Sequence, residues 1–324
     1  MLSVGVDLGG TNLRAAVVDV ASGRVVSDAR GPTRAEEGPD AVTKRMAALI
    51  QQAIDTCGLP PDQVTSIGIG VPGLYNPTTN HVIFLTNLPT NWRQVPLGPE
   101  IAERLGRPTV LVNDARAFTL AEATLGAARG AQTVVGVTLG TGIGGGVVLG
   151  GRLHLGLDGT AGEVGHMIVD PHGTPCGCGS FGCLEAYASG PALITLGIKA
   201  IRQGRTTSLR DLIGGDLNAL TPELIVHGAD QGDAIAREVL DQVGYWLGVG
   251  VANLITLFSP DAVVIGGGVA AAGEWLLRPV REVVLRRCLV TPTERVKIVL
   301  AELAGEAGVI GAAVWAVRKR EESG

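Results

Sequence analysis

The chain has 324 residues, enough for one large or two medium domains with a substantial core. Its formal net charge of −5 argues against an electrostatic hold on nucleic acid or on an anionic membrane surface. A hydrophobic content of 46%, with 48 glycines and only 3% aromatics, suits an α/β protein with many Gly-rich turns.

Leu2-Ser3-Val4-Gly5-Val6-Asp7 alternates as a strand that starts at once, so no secretory leader is expected. Leu8-Gly9-Gly10-Thr11-Asn12 reads as a turn and Leu13 to Val20 as a second strand. Backbone N–H groups at such a hairpin tip can cradle phosphate oxygens. The stretch is no Walker loop, since it lacks Gly-Lys-Ser/Thr and a helix directly behind it; by itself, Gly-Gly here is also ordinary turn chemistry. Residues 21–40 read as a polar loop and helix approach, and Ala41 to Cys57 as a helix with Val42, Met46, Leu49, Ile50, Ala53 and Ile54 inward. Val64 to Val71 is a strand ending in Pro72-Gly73. Asn87-Leu88-Pro89-Thr90-Asn91-Trp92 reads as a polar loop held down by Trp92. Pro108 to Val112 is an apolar strand, Asn113-Asp114 the junction, and Ala115 to Ala128 a helix. Asp114 is therefore placed as a helix N-cap. Equally, a carboxylate kept ionised by a helix N-terminus could serve as a base.

Val135-Gly136-Val137-Thr138-Leu139-Gly140 repeats the pattern of Val4 to Gly9, and continues through Thr141-Gly142-Ile143-Gly144-Gly145-Gly146 into a second strand. Two such hairpins suggest two related halves, each opening with a phosphate-facing turn. Residues 131–151 carry no charge, yet their many glycines and strand–turn–strand pattern exclude a membrane span. Further on stand Gly162-Glu163-Val164-Gly165-His166 and then Cys176-Gly177-Cys178-Gly179-Ser180-Phe181-Gly182-Cys183-Leu184-Glu185. Three thiolates and one imidazole form a closed tetrahedral set of the structural-zinc kind, His166, Cys176, Cys178 and Cys183; a chance cluster in a core is the alternative. The remaining two of five cysteines, Cys57 and Cys288, fit no pairing pattern, which points to a reducing, cytoplasmic setting. Leu184 to Gln203 is a helix broken near Gly190-Pro191, residues 204–233 are short helices, and 243–258 is a helix buried all round. Ala262 to Ile265 is a buried strand ended by Gly266-Gly267-Gly268, and Gly305 to Arg320 is the last helix.

Gly-Glu-x-Gly-His followed by Cys-x-Cys-Gly-x2-Gly-Cys-x-Glu resembles the paired signature of the ROK family of bacterial sugar kinases and repressors. The two hairpins are similar to those of the actin-like, or ribonuclease-H-like, ATPase fold. The resemblance implies two α/β domains around a cleft, residues 1–116 with 305–324 and residues 117–304, the second carrying the zinc loop. It implies ATP, Mg2+ and structural Zn2+ as cofactors. Gly5, Asp7, Gly9, Gly10, Thr11 and Asn12, with Gly140, Thr141, Gly142, Gly144, Gly266 and Gly267, would bind nucleotide, with Asp7 near the magnesium. Gly73, Asn87, Asn113, Asp114, Glu163, His166 and Glu185 would hold the sugar, and Asp114 would be the general base. The family usually has Asn two residues after that aspartate; here it is Arg116. A glucokinase is expected, or a kinase for another hexose or N-acetylhexosamine. The family's repressors carry a helix-turn-helix ahead of the first hairpin, a less favoured reading here. The partners implied are a sugar and ATP, with no nucleic acid and no membrane, in a homodimer or homotetramer.

Overall fold

The computed structural model describes residues 1–85 and 88–323. In chain order its strands and α-helices are β1 (Leu2–Leu8), β2 (Asn12–Asp19), β3 (Arg24–Pro32), α1 (Pro39–Thr56), β4 (Val64–Val71), β5 (Gly73–Tyr75), β6 (Val82–Leu85), α2 (Leu97–Leu105), β7 (Thr109–Asn113) and α3 (Asp114–Thr124). They continue with β8 (Val134–Leu139), β9 (Ile143–Leu149), β10 (Arg152–Leu153), α4 (Glu185–Ala188), α5 (Gly190–Arg202), α6 (Leu209–Leu212), α7 (Pro222–Asp230), α8 (Ala234–Phe258), β11 (Ala262–Gly266), α9 (Glu274–Arg287), β12 (Lys297–Leu300) and α10 (Ala307–Ser323). The chain divides into two compact units: Met1–Gly130 with Gly146–Gly162 and Glu302–Gly324, and Ala131–Gly145 with Glu163–Ala301.

Two sheets repeat one plan. The first runs β3-β2-β1-β4-β7 and the second β10-β9-β8-β11-β12. β1, β2 and β3 are antiparallel neighbours, while β4 and β7 add on in parallel. In the second sheet β11 likewise pairs in parallel with both β8 and β12. This is the actin-like arrangement, and no helix among the described residues is long and apolar enough to cross a membrane.

The first sheet is covered on both faces, so its central strands are apolar throughout rather than alternating. α1 buries Val42, Met46, Ile50, Ala53 and Ile54 against Val6, Leu8, Leu13 and Val17. The other face receives α10 at close range. A side chain at Gly5 would strike the carbonyl of Val309, one at Gly68 that of Ala312, and a side chain at Gly311 the carbonyl of Ala117 in α3. Trp315 Nε1 adds a buried hydrogen bond to Leu111 O of β7, at 2.9 Å. In the second unit α8 is buried over most of its length, and Gly244 and Gly248 allow Pro279, Val280 and Val283 of α9 to approach it.

The longest strand that departs from the sequence expectation is at the edge of the first sheet. Residues 24–32, read as loop, form β3 against β2. Its mixed burial carries no apolar alternation, because an edge strand is ordered by its ladder and by bonds such as Arg14 Nε to Asp28 Oδ2 (3.1 Å) rather than by a buried face. The break expected near Gly190-Pro191 is present: α4 stops, and Ser189 Oγ accepts the amide of Ala192 to restart the chain as α5.

The carbonyl of Ala312 cannot retreat without disrupting α10. Gly68→Ala is therefore expected to destabilise the protein by about 1–3 kcal/mol, seen as a lower melting temperature and earlier urea midpoint. An unchanged midpoint would show that helix and sheet can separate freely there.

Candidate active site and metal centre

In the first unit the β1–β2 hairpin pairs Leu8 with Leu13 and Asp7 with Arg14. Gly10, Thr11 and Asn12 are exposed at its tip, and Gly9 N donates to Asn12 O at 3.0 Å. Thr33 braces the turn from the side, its Oγ1 donating to Gly9 O (2.6 Å) and its amide to Thr11 O (2.8 Å). Gly5 lies lower down β1, buried beneath α10. Asp7 lies just below the tip, and a side chain at Gly308, in the first turn of α10, would touch its Oδ2. Burial raises the Asp7 pKa above the usual carboxylate value, and the charge of Arg14 opposes that shift. Arg14 is itself fixed, donating to Asp28, to Gly305 O (3.1 Å) and to both oxygens of Glu306 (3.0 and 2.7 Å). Arg14 escaped the sequence reading. The signal was available in register, because counting outward from the turn sets it opposite Asp7 on the same face.

β7 leads straight into α3 at Asn113-Asp114. Asn113, not Asp114, caps the helix: its Oδ1 accepts the Arg116 amide at 3.2 Å, while its Nδ2 donates to Gly73 O at 3.3 Å. Asp114 is the first helical residue, partly buried, with Oδ1 accepting the Ala115 amide at 2.8 Å. The two side chains are thus oriented by backbone groups at a helix N-terminus, where negative charge is favoured. Gly73 has φ +155°, and a side chain there would collide with the Phe84 carbonyl. Arg116 is fully buried and donates from Nε to Ala161 O at 2.8 Å. Asn87 lies outside the described residues; next to it in sequence, Leu88 and Trp92 are buried.

In the second unit β8 delivers the second tip, Gly140-Thr141-Gly142, with Gly140 N donating to Gly142 O at 2.9 Å. Gly140 and Thr141 are exposed, and Gly142 and Gly144 are half-buried. Gly266 ends β11 and Gly267 follows with φ +89°, packed on the Leu139 backbone so closely that no side chain would fit. Glu163 precedes a 3₁₀ turn, Val164–His166. Glu163 and His166 are both exposed, and the His166 amide donates to Glu163 O at 3.1 Å.

His166, Cys176, Cys178 and Cys183 bring their ligand atoms within 4.8 Å of one another. Zinc–sulfur bonds of about 2.3 Å in a tetrahedron set sulfurs about 3.8 Å apart. Cys178 Sγ and Cys183 Sγ are 3.7 Å apart, and Cys176 Sγ is 3.8 Å from His166 Nδ1. The donor set therefore fits a closed, structural zinc. Burial, then bonding to the neighbouring cysteines, pushes the Cys183 thiol up to about 12, whereas the Ser180 amide lowers that of exposed Cys178. Glu185 stands beside the knuckle, with Oε2 accepting the Ile143 amide at 2.9 Å and Oε1 3.7 Å from Cys176 Sγ.

The sequence profile of the ROK family matches residues 3–319. The chain belongs to the ROK family. It is 38% identical over 310 residues to a glucokinase of Thermotoga maritima, covering 96% of this chain and 95% of that protein. It is 34% identical over 321 residues to a glucokinase of Halalkalibacterium halodurans, with 99% and 96% covered. Among solved structures, a ROK family glucokinase from Streptomyces griseus in complex with glucose and AMPPNP superposes with a TM-score of 0.82 at 36% identity, covering 98% of this chain and all of that one. The ROK signature pair, Gly162–His166 and Cys176–Glu185, is the part of this chain that builds the metal centre.

Two outcomes are expected. Cys178→Ser removes one of four donors, so zinc should fall from about one per chain toward zero, with a lower melting temperature; full zinc content by atomic spectroscopy would overturn the ligand assignment. For Asp7, the folded pKa lies above the unfolded one. The fold favours the neutral acid, and that stability is lost as pH rises through the raised pKa. Asp7→Asn should therefore melt higher than the wild type at about pH 7 without ligands, the gain shrinking toward about pH 4. Calorimetry showing no gain at neutral pH would contradict this.

Proposed function

We propose that this chain is an ATP-dependent hexose kinase, a glucokinase, transferring the γ-phosphoryl group of ATP to the 6-hydroxyl of glucose. The observation that carries the reading is the near full-length likeness to glucokinases together with an intact, converged Cys3His knuckle beside Glu185. Asp114 takes the proton of the 6-hydroxyl as that oxygen attacks the γ-phosphorus, and the bond between the γ-phosphorus and the oxygen bridging to the β-phosphate breaks, so that this oxygen leaves with ADP. Its support is position: first residue of α3, oriented by the Ala115 amide. A base so placed is worth about 10²–10⁴ in rate. Asn113, Glu163, His166 and Glu185 hold ring hydroxyls, with Gly73 and Asn87 on the same ligand. His166 offers Nδ1 to the metal and keeps its other nitrogen for the sugar.

The hairpin tips, Gly9 to Asn12 and Gly140 to Gly144, take the phosphates, and the turn at Gly266 and Gly267 the adenosine. Asp7 is the carboxylate that would hold magnesium, which would supply charge neutralisation for the phosphates. Phosphoryl transfer asks the protein for positioning and electrostatics more than for covalent work. We place the enzyme in the cytoplasm, as a homodimer or homotetramer.

A coupled assay with a panel of sugars tests the reading. Glucose is expected to give the highest kcat/KM, with N-acetylglucosamine, N-acetylmannosamine, mannose and fructose lower; no ATP-dependent turnover of any hexose would sink it. Asp114→Asn should lower kcat by about 10²–10⁴ and leave glucose affinity within a few-fold by calorimetry. Turnover near wild type would remove Asp114 from its role.

A further inference from the structure

We propose that the metal knuckle is also a clamp on the phosphate-facing hairpin of its own unit, acting through Ile143, so that metal loading sets nucleotide affinity. The proposal rests on the kinase reading of that hairpin. Ile143 is the first residue of β9, directly after Gly140-Thr141-Gly142. Its amide donates to Glu185 Oε2 at 2.9 Å. Its carbonyl abuts Gly165, where any side chain would overlap it. Its own side chain is 4% exposed and shares a core cluster with Val164 and Leu184. Ile143 is therefore gripped on one side by Val164 and Gly165, and on the other by Leu184 and Glu185.

Each of those pairs adjoins a metal donor. His166 follows Gly165, and Cys183 precedes Leu184. A single ion bonded to both His166 and Cys183 ties together the two jaws that hold Ile143. A second point of hold lies one turn on: Gly190 N donates to Gly140 O at 2.9 Å, so residues 185–190 grip both arms of the hairpin. Gly142 is part of the fit, since a side chain there would run into Glu185 Oε2. The far jaw is seated in turn, with Leu184 fully buried under Gly250 of α8.

The hairpin needs such a hold. Gly140 and Gly142 leave its tip, Gly140-Thr141-Gly142, with large conformational entropy. Amides that cradle phosphate must point one way before the ligand arrives, or ordering them costs affinity. Glu185 is a positioning residue in this respect, acting on phosphate through Ile143.

The test measures amide hydrogen exchange over residues 140–145 and the affinity for Mg·AMPPNP, on the full chain loaded with zinc and after chelator treatment. Glu185→Ala, Glu185→Gln and Gly165→Ala are compared, each checked for zinc content and cooperative melting. Stripping the metal is expected to speed exchange at 140–145 and to weaken AMPPNP on the order of tenfold, the effect of losing one hydrogen bond to a charged group. Zinc-loaded Glu185→Ala should do the same, and stripping that variant should add little. Glu185→Gln keeps an oxygen acceptor for the Ile143 amide and should keep the protection. Unchanged exchange and affinity in a stripped protein that still melts cooperatively would overturn the clamp. Should the stripped protein lose its cooperative melt, zinc-loaded Glu185→Ala and Gly165→Ala decide: a shift at 140–145 supports the clamp and its absence overturns it. Wild type that binds no AMPPNP would instead refute the kinase reading, and exchange at 140–145 would still decide the clamp.

Discussion

Three thiols and an imidazole whose ligand atoms lie within 4.8 Å of one another are the constraint on which the second unit turns. The loop buries few apolar side chains, since Phe181 and Ile168 are exposed, and its backbone is held by bonds such as Cys176 N to Ser180 O and Gly182 N to Thr174 O, both 2.8 Å. A structural zinc is worth roughly 10–16 kcal/mol of apparent binding energy in small zinc domains. That exceeds the entropy of ordering a few glycine-rich residues at about 1–2 kcal/mol each. One metal thereby fixes Glu163, His166 and Glu185 relative to one another. Tyr187 adds a brace on the far side, its hydroxyl donating to Asp170 Oδ2 at 3.1 Å and accepting the Thr174 amide at 2.7 Å.

The first unit reaches its precision differently. The residues proposed to work in it stand at strand ends, where β1 turns into β2 and where β7 becomes α3. Their positions depend on how closely α10 approaches the sheet, at Gly5 and Gly68, and α3, at Gly311. Asp7 sits under the first turn of that same helix, in surroundings dry enough to raise its pKa. Holding an ionised carboxylate there costs stability. Functional groups are commonly the ones whose ionisation the fold strains.

Much of this was legible beforehand. The span Val64–Val71 coincides with β4, the two glycine-tipped hairpins are where the repeat placed them, and the metal donors converge as their spacing implied. These signals are local: apolar runs, turn residues and short-range ligand spacing. β3 was missed because an edge strand draws its order from a neighbour, and β5, β6 and β12 are too short to show a period. The cap at α3 was misassigned by one residue for a related reason. Asp and Asn are both good caps, and the link from Asn113 to Gly73 across the chain decides between them.

The sequence by itself determined the family, the repeated hairpins and the identity of the metal donors, because each is carried by residues close together along the chain. Only the tertiary structure decided what holds those parts to one another: the ion pair of Arg14 with Glu306, the seat of α10 on its glycines, and the grip of Val164, Gly165, Leu184 and Glu185 on Ile143. Such contacts join residues far apart in sequence. They follow from backbone approach distances that no spacing of residue types encodes.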